Sequence, residues 1–223
     1  MKVYVSGGCK NGKSHYAQRL ARSQAQEVVR SQAQEQKLPQ PQELAHAQNF
    51  TQARSQARPP RAGNAALYYI ATMSPSDAED DERIARHRSD RDGQGFTTVE
   101  QPADIDGILD KCDAGGSFLI DSVTALLANE MFLPDGTING GAADKIIGGL
   151  TRILNCADNV VIVSDYIFGD AELYDPLVEL YRESLAKIDR AAARLCDSVV
   201  EIAYANVICH KQTNKQSEGR LLS

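Results

Sequence analysis

The stretch Gly7–Ser14 reads GGCKNGKS and sets Gly7, Gly12, Lys13 and Ser14 in the order G-x-x-x-x-G-K-[ST]. It follows the apolar run Val3-Tyr4-Val5 and precedes a stretch with helical spacing, which is the context in which this pattern binds phosphate. Backbone N–H groups of such a turn must come close to phosphate oxygens, and side chains at Gly7, Gly8 or Gly12 would obstruct that approach. Lys13 would neutralise β- and γ-phosphate charge, and the Ser14 hydroxyl would hold Mg²⁺. The helix starting there would turn its positive dipole end toward the anion. The plain alternative is a Gly-rich strand-to-helix turn with a Ser-capped helix.

Such a loop works with a second carboxylate near the metal, and SFLIDS ends an apolar run on Asp121. Asp121 is predicted to contact Mg²⁺, through a water; the competing reading is that Asp121 or Ser122 caps the following helix, SVTALLANEMF. No N-K-x-D tetrapeptide occurs, so the base-reading element of a switch GTPase is missing.

A third constellation lies in EDDERIARHRSDR, where helical spacing puts Arg83, His87 and Arg91 on one face, flanked by Arg86 and Arg88. Surrounding cations disfavour the imidazolium, so His87 would stay neutral and nucleophilic near pH 7 while the arginines hold the phosphate it attacks. That chemistry gives a phosphoramidate. The alternative is a solvated helix whose acidic first turn, Glu79 to Glu82, complements its dipole and pairs with later arginines.

These residues need a frame. Apolar runs recur as KVYVSG, ALYYIATM, SFLIDS, NVVIVSD and SVVEIAYANV, with a weaker one at FTTVEQ. Between them lie KSHYAQRLARSQAQ, PADIDGILDKC, AADKIIGGLTRILNCA and PLVELYRESLAKIDRAAARLC, all with helical spacing. Strands alternating with helices predict an α/β fold with a mainly parallel sheet covered on both faces. A chain of 223 residues at 42% hydrophobic content suits one packed domain.

One segment departs from this rhythm. Residues 22–62 hold ten glutamines and repeat RSQAQE at Arg22 and Arg30, and RSQAR at Arg54. It reads as a Gln/Ala-rich insertion, helical by composition, interrupted by Pro39, Pro41, Pro59 and Pro60 and short of large apolar residues. A partly helical, mobile excursion is expected there.

The net charge of −6, without a Lys/Arg-rich run, argues against a nucleic-acid partner. Five scattered cysteines without a C-x-x-C pair read as reduced thiols and suggest neither zinc nor disulfides. No apolar stretch has the length of a signal peptide or of the ~20 residues that cross a bilayer, so the cytoplasm is expected. His15 and His46 lack metal-ligating partners, and His210 sits beside a polar tail expected to fray.

In their order along the chain, VSGGCKNGKSHYAQRLA, YYIATMSPSDAEDDERIARHRSDR, FTTVEQP, FLIDSVTALLANEMF and VVIVSD resemble the adenosylcobinamide kinase/adenosylcobinamide-phosphate guanylyltransferase family. The resemblance implies a RecA-like P-loop fold, with Mg²⁺, GTP and ATP used in two reactions. Adenosylcobinamide is phosphorylated on its aminopropanol hydroxyl, and GMP then passes from GTP to the product through a histidine at the position of His87.

The resemblance also implies nucleotide contacts at Gly7, Gly8, Cys9, Lys10, Asn11, Gly12, Lys13 and Ser14. Further contacts would come from Ala71, Thr72 and Met73, from Arg88, Ser89, Asp90 and Arg91, and from Glu100 and Asp121. It further implies a homo-oligomer, trimers being among the forms the family takes. The chain differs from the family in Asp165-Tyr166 where an Asn-Glu pair is usual, in Asp92 where Pro is often found, and in Phe96 at a Trp position.

Overall fold

The computed structural model describes residues 1–35, 66–74, 89 and 91–213. Its strands are β1 (Lys2–Gly7), β2 (Leu67–Ala71), β3 (Thr97–Glu100), β4 (Ser117–Asp121), β5 (Asn159–Asp165), β6 (Ser198–Ala203) and β7 (Asn206–Gln212). Its helices are α1 (Lys13–Glu35), α2 (Ile108–Lys111, after a 3₁₀ turn at Ile105–Gly107), α3 (Val123–Met131), α4 (Ala142–Cys156) and α5 (Pro176–Leu195).

The strands form one sheet in the order β3-β2-β4-β5-β1-β6-β7. Every pairing is parallel except β6 with β7, as the alternation of apolar runs and helical stretches predicts. Side-chain alternation divides the core between two faces. Val3, Val5, Leu119, Val161 and Val163 point to α1, which meets them through Ala17, Ala21 and Ala25. Small residues at four-residue intervals let that helix lie close against the strands. Tyr4, Ile120, Val160 and Ile162 point the other way and are covered by Leu126 and Leu127 of α3, Leu150 and Ile153 of α4, and Leu185 and Ile188 of α5. Each such fully buried side chain contributes about 1.5–3 kcal/mol.

Two boundaries differ from the sequence reading. SVVEIAYANV is not one strand: Tyr204 (φ 49°) and Ala205 (φ 61°) take left-handed backbone and turn the chain into the antiparallel strand β7. That strand runs to Gln212, so the beginning of the tail expected to fray is paired, and His210 Nε2 lies 2.8 Å from Glu201 Oε2. β7 escaped the pattern because as an edge strand it is exposed along most of its length. In the Gln-rich segment, residues 22–35 continue α1, with Ala25 in the core and Gln24 Nε2 donating to the Met1 carbonyl at 3.2 Å. Residues 36–62 lie outside the described residues.

The connections fix where a ligand can sit. α1 carries the chain from β1 across β5 and β4 to β2 on one face. α5 carries it from β5 past β1 to β6 on the other face. The crossovers diverge between β1 and β5, and a doubly wound sheet opens its crevice beyond the carboxyl ends of two such strands.

Candidate active site

Gly7 ends β1 and Lys13 begins α1, so the phosphate-binding pattern spans the connection at that crevice. Its glycines have separate causes. A Cβ at Gly7 would stand 2.6 Å from the Ile202 carbonyl oxygen of β6, and one at Gly8 would stand 2.9 Å from Asn11 Nδ2. Gly12 has open space around it but takes φ +85°, which suits glycine alone among common residues. Lys10 is also left-handed, at φ 59°. Thus Gly7 answers to strand packing and Gly12 to backbone shape, in addition to any demand from phosphate.

Lys13 is buried, and its Nζ donates to the Gly8 carbonyl at 3.2 Å and pairs with Asp165 Oδ1. Asp165 ends β5 opposite Gly7. Its backbone N–H donates to Thr124 Oγ1 at 2.9 Å, and the next N–H, of Tyr166, donates to the Gly7 carbonyl at 2.8 Å. The sequence comparison marked Asp165 only as a departure from an Asn-Glu pattern; the fold makes it the partner of the phosphate-loop lysine.

The second carboxylate sits two strands away. Asp121 ends β4, opposite Ala71 of β2 and Val163 of β5, and Ala71 in turn faces Glu100 of β3. Ala71, Glu100, Asp121, Asp165 and Gly7 therefore line the carboxyl edge of five adjacent strands. Ser122, not Asp121, caps α3, accepting from the Ala125 N–H. That leaves the Asp121 carboxylate to accept from the Tyr69 hydroxyl at 2.9 Å. Burial, reinforced by the Asp121 charge, holds the Tyr69 phenol protonated well above its usual range.

Arg91 completes this arrangement. Its guanidinium carbon lies 3.6 Å from the centroid of the Tyr69 ring, and Phe96 meets the same ring edge-on at 6.1 Å. Arg91 is 6% exposed, yet its Nε and Nη1 have no hydrogen-bond partner among the described residues. Buried donors left so are costly, and a phosphate group is a natural acceptor for them. In sequence Tyr69 is one aromatic of an apolar run; its ring-and-hydroxyl use appears only with the partners on either side.

Thr72 acts on the frame. Its buried hydroxyl accepts from the Ser122 N–H at 2.8 Å and donates to the Ser122 carbonyl at 2.7 Å, while its own carbonyl accepts from Asn129 Nδ2 at 2.7 Å. It thereby locks the end of β2 to the Asp121–Ser122 junction. Met73 follows it, partly buried, and Ser89 is exposed. His87, Arg88 and Asp90 lie outside the described residues.

The donor set fits Mg²⁺. Ser14 in the first turn of α1 and Asp121 at the end of β4 supply hard oxygen ligands, and Mg²⁺ takes one or two such protein groups together with substrate phosphates and water. Among the described residues no cluster of three His, Cys, Asp or Glu side chains forms an all-protein metal cage.

Behind Asp165 lies a buried polar group. Ser164 Oγ donates to Asp189 Oδ1 at 2.8 Å, and the Tyr4 hydroxyl also bonds to Asp189. Burial chiefly pushes the Asp189 carboxyl up to about 6, with the Asp165 charge acting in the same direction. Burial also raises Tyr181 to about 12. The Tyr181 hydroxyl donates to the Thr124 carbonyl at 2.9 Å.

Comparison with known proteins gives consistent findings. A family model described as cobinamide kinase / cobinamide phosphate guanyltransferase matches residues 51–206. The bifunctional adenosylcobalamin biosynthesis protein CobP of Pseudomonas aeruginosa is 22% identical over 200 residues, covering 89% of this chain and 91% of that protein. A KaiC-like protein from the archaeon Pyrococcus horikoshii OT3 aligns in structure over 95% of this chain and 78% of its own, with a TM-score of 0.43 and 13% identity. The P4 protein from bacteriophage phi6, in complex with ADP, aligns over 96% of this chain and 55% of its own, with a TM-score of 0.43 and 14% identity. Among the described residues no helix is long and apolar enough to cross a membrane.

Proposed function

The chain belongs to the cobinamide kinase / cobinamide phosphate guanyltransferase family, and from that premise we propose that it carries out both reactions on adenosylcobinamide in the cytoplasm, through a guanylylated His87. The observation that carries the reading is the carboxyl edge of the sheet, where Lys13 pairs with Asp165 at one strand end and Asp121 is linked through Tyr69 to Arg91 at another. Phosphoryl transfer depends on positioning and charge neutralisation rather than on elaborate acid–base chemistry, and that edge supplies both.

In the kinase step the aminopropanol oxygen attacks the γ-phosphorus of ATP or GTP and gives up its proton to water, the bond to the β-phosphate oxygen breaks, and the nucleoside diphosphate leaves. In the second reaction an imidazole nitrogen of His87 attacks the α-phosphorus of GTP and pyrophosphate leaves. A phosphate oxygen of the phosphorylated acceptor then displaces the imidazole and takes the GMP. Dividing the transfer in this way replaces one difficult displacement with two in-line ones. Lys13 and the N–H groups of Gly7–Ser14 would hold the phosphates, and Arg91 would add a planar, charged donor. Mg²⁺, held by Ser14 and Asp121, would neutralise charge on the phosphate oxygens. On this reading the chain acts as a single nucleotide-binding domain and assembles into a homo-oligomer, trimers being among the forms the family takes.

The test is incubation with Mg²⁺ and GTP labelled at the α-phosphate, followed by denaturing electrophoresis, alongside His87→Ala. Protein-bound label that is acid-labile, base-stable and absent from the variant supports the histidine intermediate. A folded, GTP-binding protein that takes up no label removes the guanylyltransfer step from the reading.

A further inference from the structure

We propose that the cavity between the β5–α5 connection and the first turns of α5 binds the alcohol-bearing corrinoid acceptor, an assignment that rests on the family reading above. The cavity measures about 560 Å³ and is walled by Tyr166, Tyr174, Val178, Tyr181, Arg182 and Asp170 among others. Small-molecule sites of this size combine apolar walls with a few fixed polar groups, and both are present.

The first support is position. The wall begins at Tyr166, whose backbone N–H is bonded to the Gly7 carbonyl, directly after the Asp165 that pairs with Lys13. An acceptor seated there is adjacent to the phosphate loop without lying in it. The opposite wall, Tyr181, is tied to Thr124 of α3 and stacked on Phe132 at 5.8 Å.

The second support is chemistry. Tyr174 donates to Asp170 at 3.0 Å, and the Arg182 guanidinium lies 4.8 Å from the Tyr174 ring centroid while bonding Glu179 at 2.7 Å and Asp170 at 3.4 Å. This holds the loop across the helix. The Arg182 side chain is 15% exposed, and its Nε is buried with no hydrogen-bond partner among the described residues. A corrinoid presents flat apolar faces and a rim of carboxamide arms; the Arg182 guanidinium in the wall offers charge to a carboxamide oxygen, and the tyrosine rings offer surface to the macrocycle.

A whole corrinoid exceeds this volume, so under this assignment an edge and the alcohol-bearing arm enter while the ring stays outside. Tyr166 in the wall is exposed, and Leu173 and Leu177, each next in sequence to a lining residue, are exposed as well, Leu173 at 97%.

The experiment is equilibrium titration of the full chain with cobinamide, followed by corrinoid visible absorbance, for wild type, Val178→Trp and Tyr174→Ala, with GTP titrations on the same preparations. Val178 is at the surface, so the bulky ring fills the cavity without entering the core. Cobinamide affinity is expected to fall about tenfold or more for Val178→Trp and about fivefold for Tyr174→Ala, with GTP affinity unchanged within about twofold. Wild-type binding of cobinamide that both variants match overturns the cavity assignment and leaves the family reading standing. A wild-type protein that binds GTP but not cobinamide, with or without nucleotide, overturns both.

Discussion

Lys13 reaches Asp165 across the carboxyl ends of β1 and β5, so the amino group that the proposed nucleotide site would offer to phosphate is paired with a carboxylate. A triphosphate bound in that proposed site would exchange places with Asp165. Replacing Asp165 by Asn keeps an oxygen acceptor and the backbone bond to Thr124 but removes the competing charge. The expected result is GTP binding tighter by about fivefold, near 1 kcal/mol, read by titration with a fluorescent GTP analogue. Weaker binding would mean that Asp165 contributes to the nucleotide-bound state instead.

Arg91 stacks on Tyr69 and keeps two donors without partners. Lysine retains the charge but neither the planar stacking nor the forked donors. Arg91→Lys is therefore expected to weaken GTP binding by about tenfold, in the range of one charged hydrogen bond. Tyr69→Phe keeps the ring under Arg91 while deleting the bond to Asp121, so its loss should appear as a higher Mg²⁺ requirement in the kinase assay. Equal effects of both variants on GTP affinity measured without Mg²⁺ would refute this division of labour.

The two loop glycines should separate by cause. Gly12→Ala meets open space and bears only the left-handed backbone cost of about 1–2 kcal/mol. Gly7→Ala drives a methyl group against the Ile202 backbone at 2.6 Å and must displace β6. Urea unfolding is expected to show the larger destabilisation for Gly7→Ala, and the reverse order would contradict the strand-packing explanation.

Asp189 sets a pH dependence of stability. Its carboxyl is raised to about 6 in the fold, so the folded state holds the proton more tightly than the unfolded chain. This contribution is fully present below about pH 4 and is lost as pH rises through about 6. Asp189→Asn mimics the protonated form, which accepts from Ser164 and Tyr4 without a buried charge. Urea unfolding from pH 4 to pH 8 should show the variant more stable than wild type at pH 8, by on the order of 2 kcal/mol, with the gap closing toward pH 4. A pH-independent gap would assign the effect to packing.

The sequence carried the phosphate loop, the β4 carboxylate and the mainly parallel sheet because each rests on local pattern: GGCKNGKS between an apolar run and a helix, SFLIDS, and alternating runs. What it lacked is long-range. Asp165 and Lys13 are joined only once β1 and β5 pair. Tyr69 looks like any strand aromatic until Asp121 and Arg91 close on its two ends. Thr72 stands among the residues implied to touch nucleotide, yet its hydroxyl is engaged in holding Ser122. The turn at Tyr204–Ala205 had no glycine or asparagine to announce its left-handed residues.

α1 runs 23 residues, about 35 Å at 1.5 Å per residue, and this length carries it from the Gly-rich turn to the opposite edge of the sheet. Its first turn carries Lys13 and Ser14; its later turns hold both copies of RSQAQE, at 22–27 and 30–35. The chain re-enters the sheet at Leu67, the amino end of β2, whereas the site gathers at the carboxyl end, beyond Ala71. Residues 36–65 leave the described fold after Glu35 and rejoin it before Leu67, away from the carboxyl edge of the sheet. A change in the length of residues 36–65 would leave the spacing of Gly7 to Ser14 unaltered, which makes that segment a natural place for an affinity tag or reporter domain to be inserted.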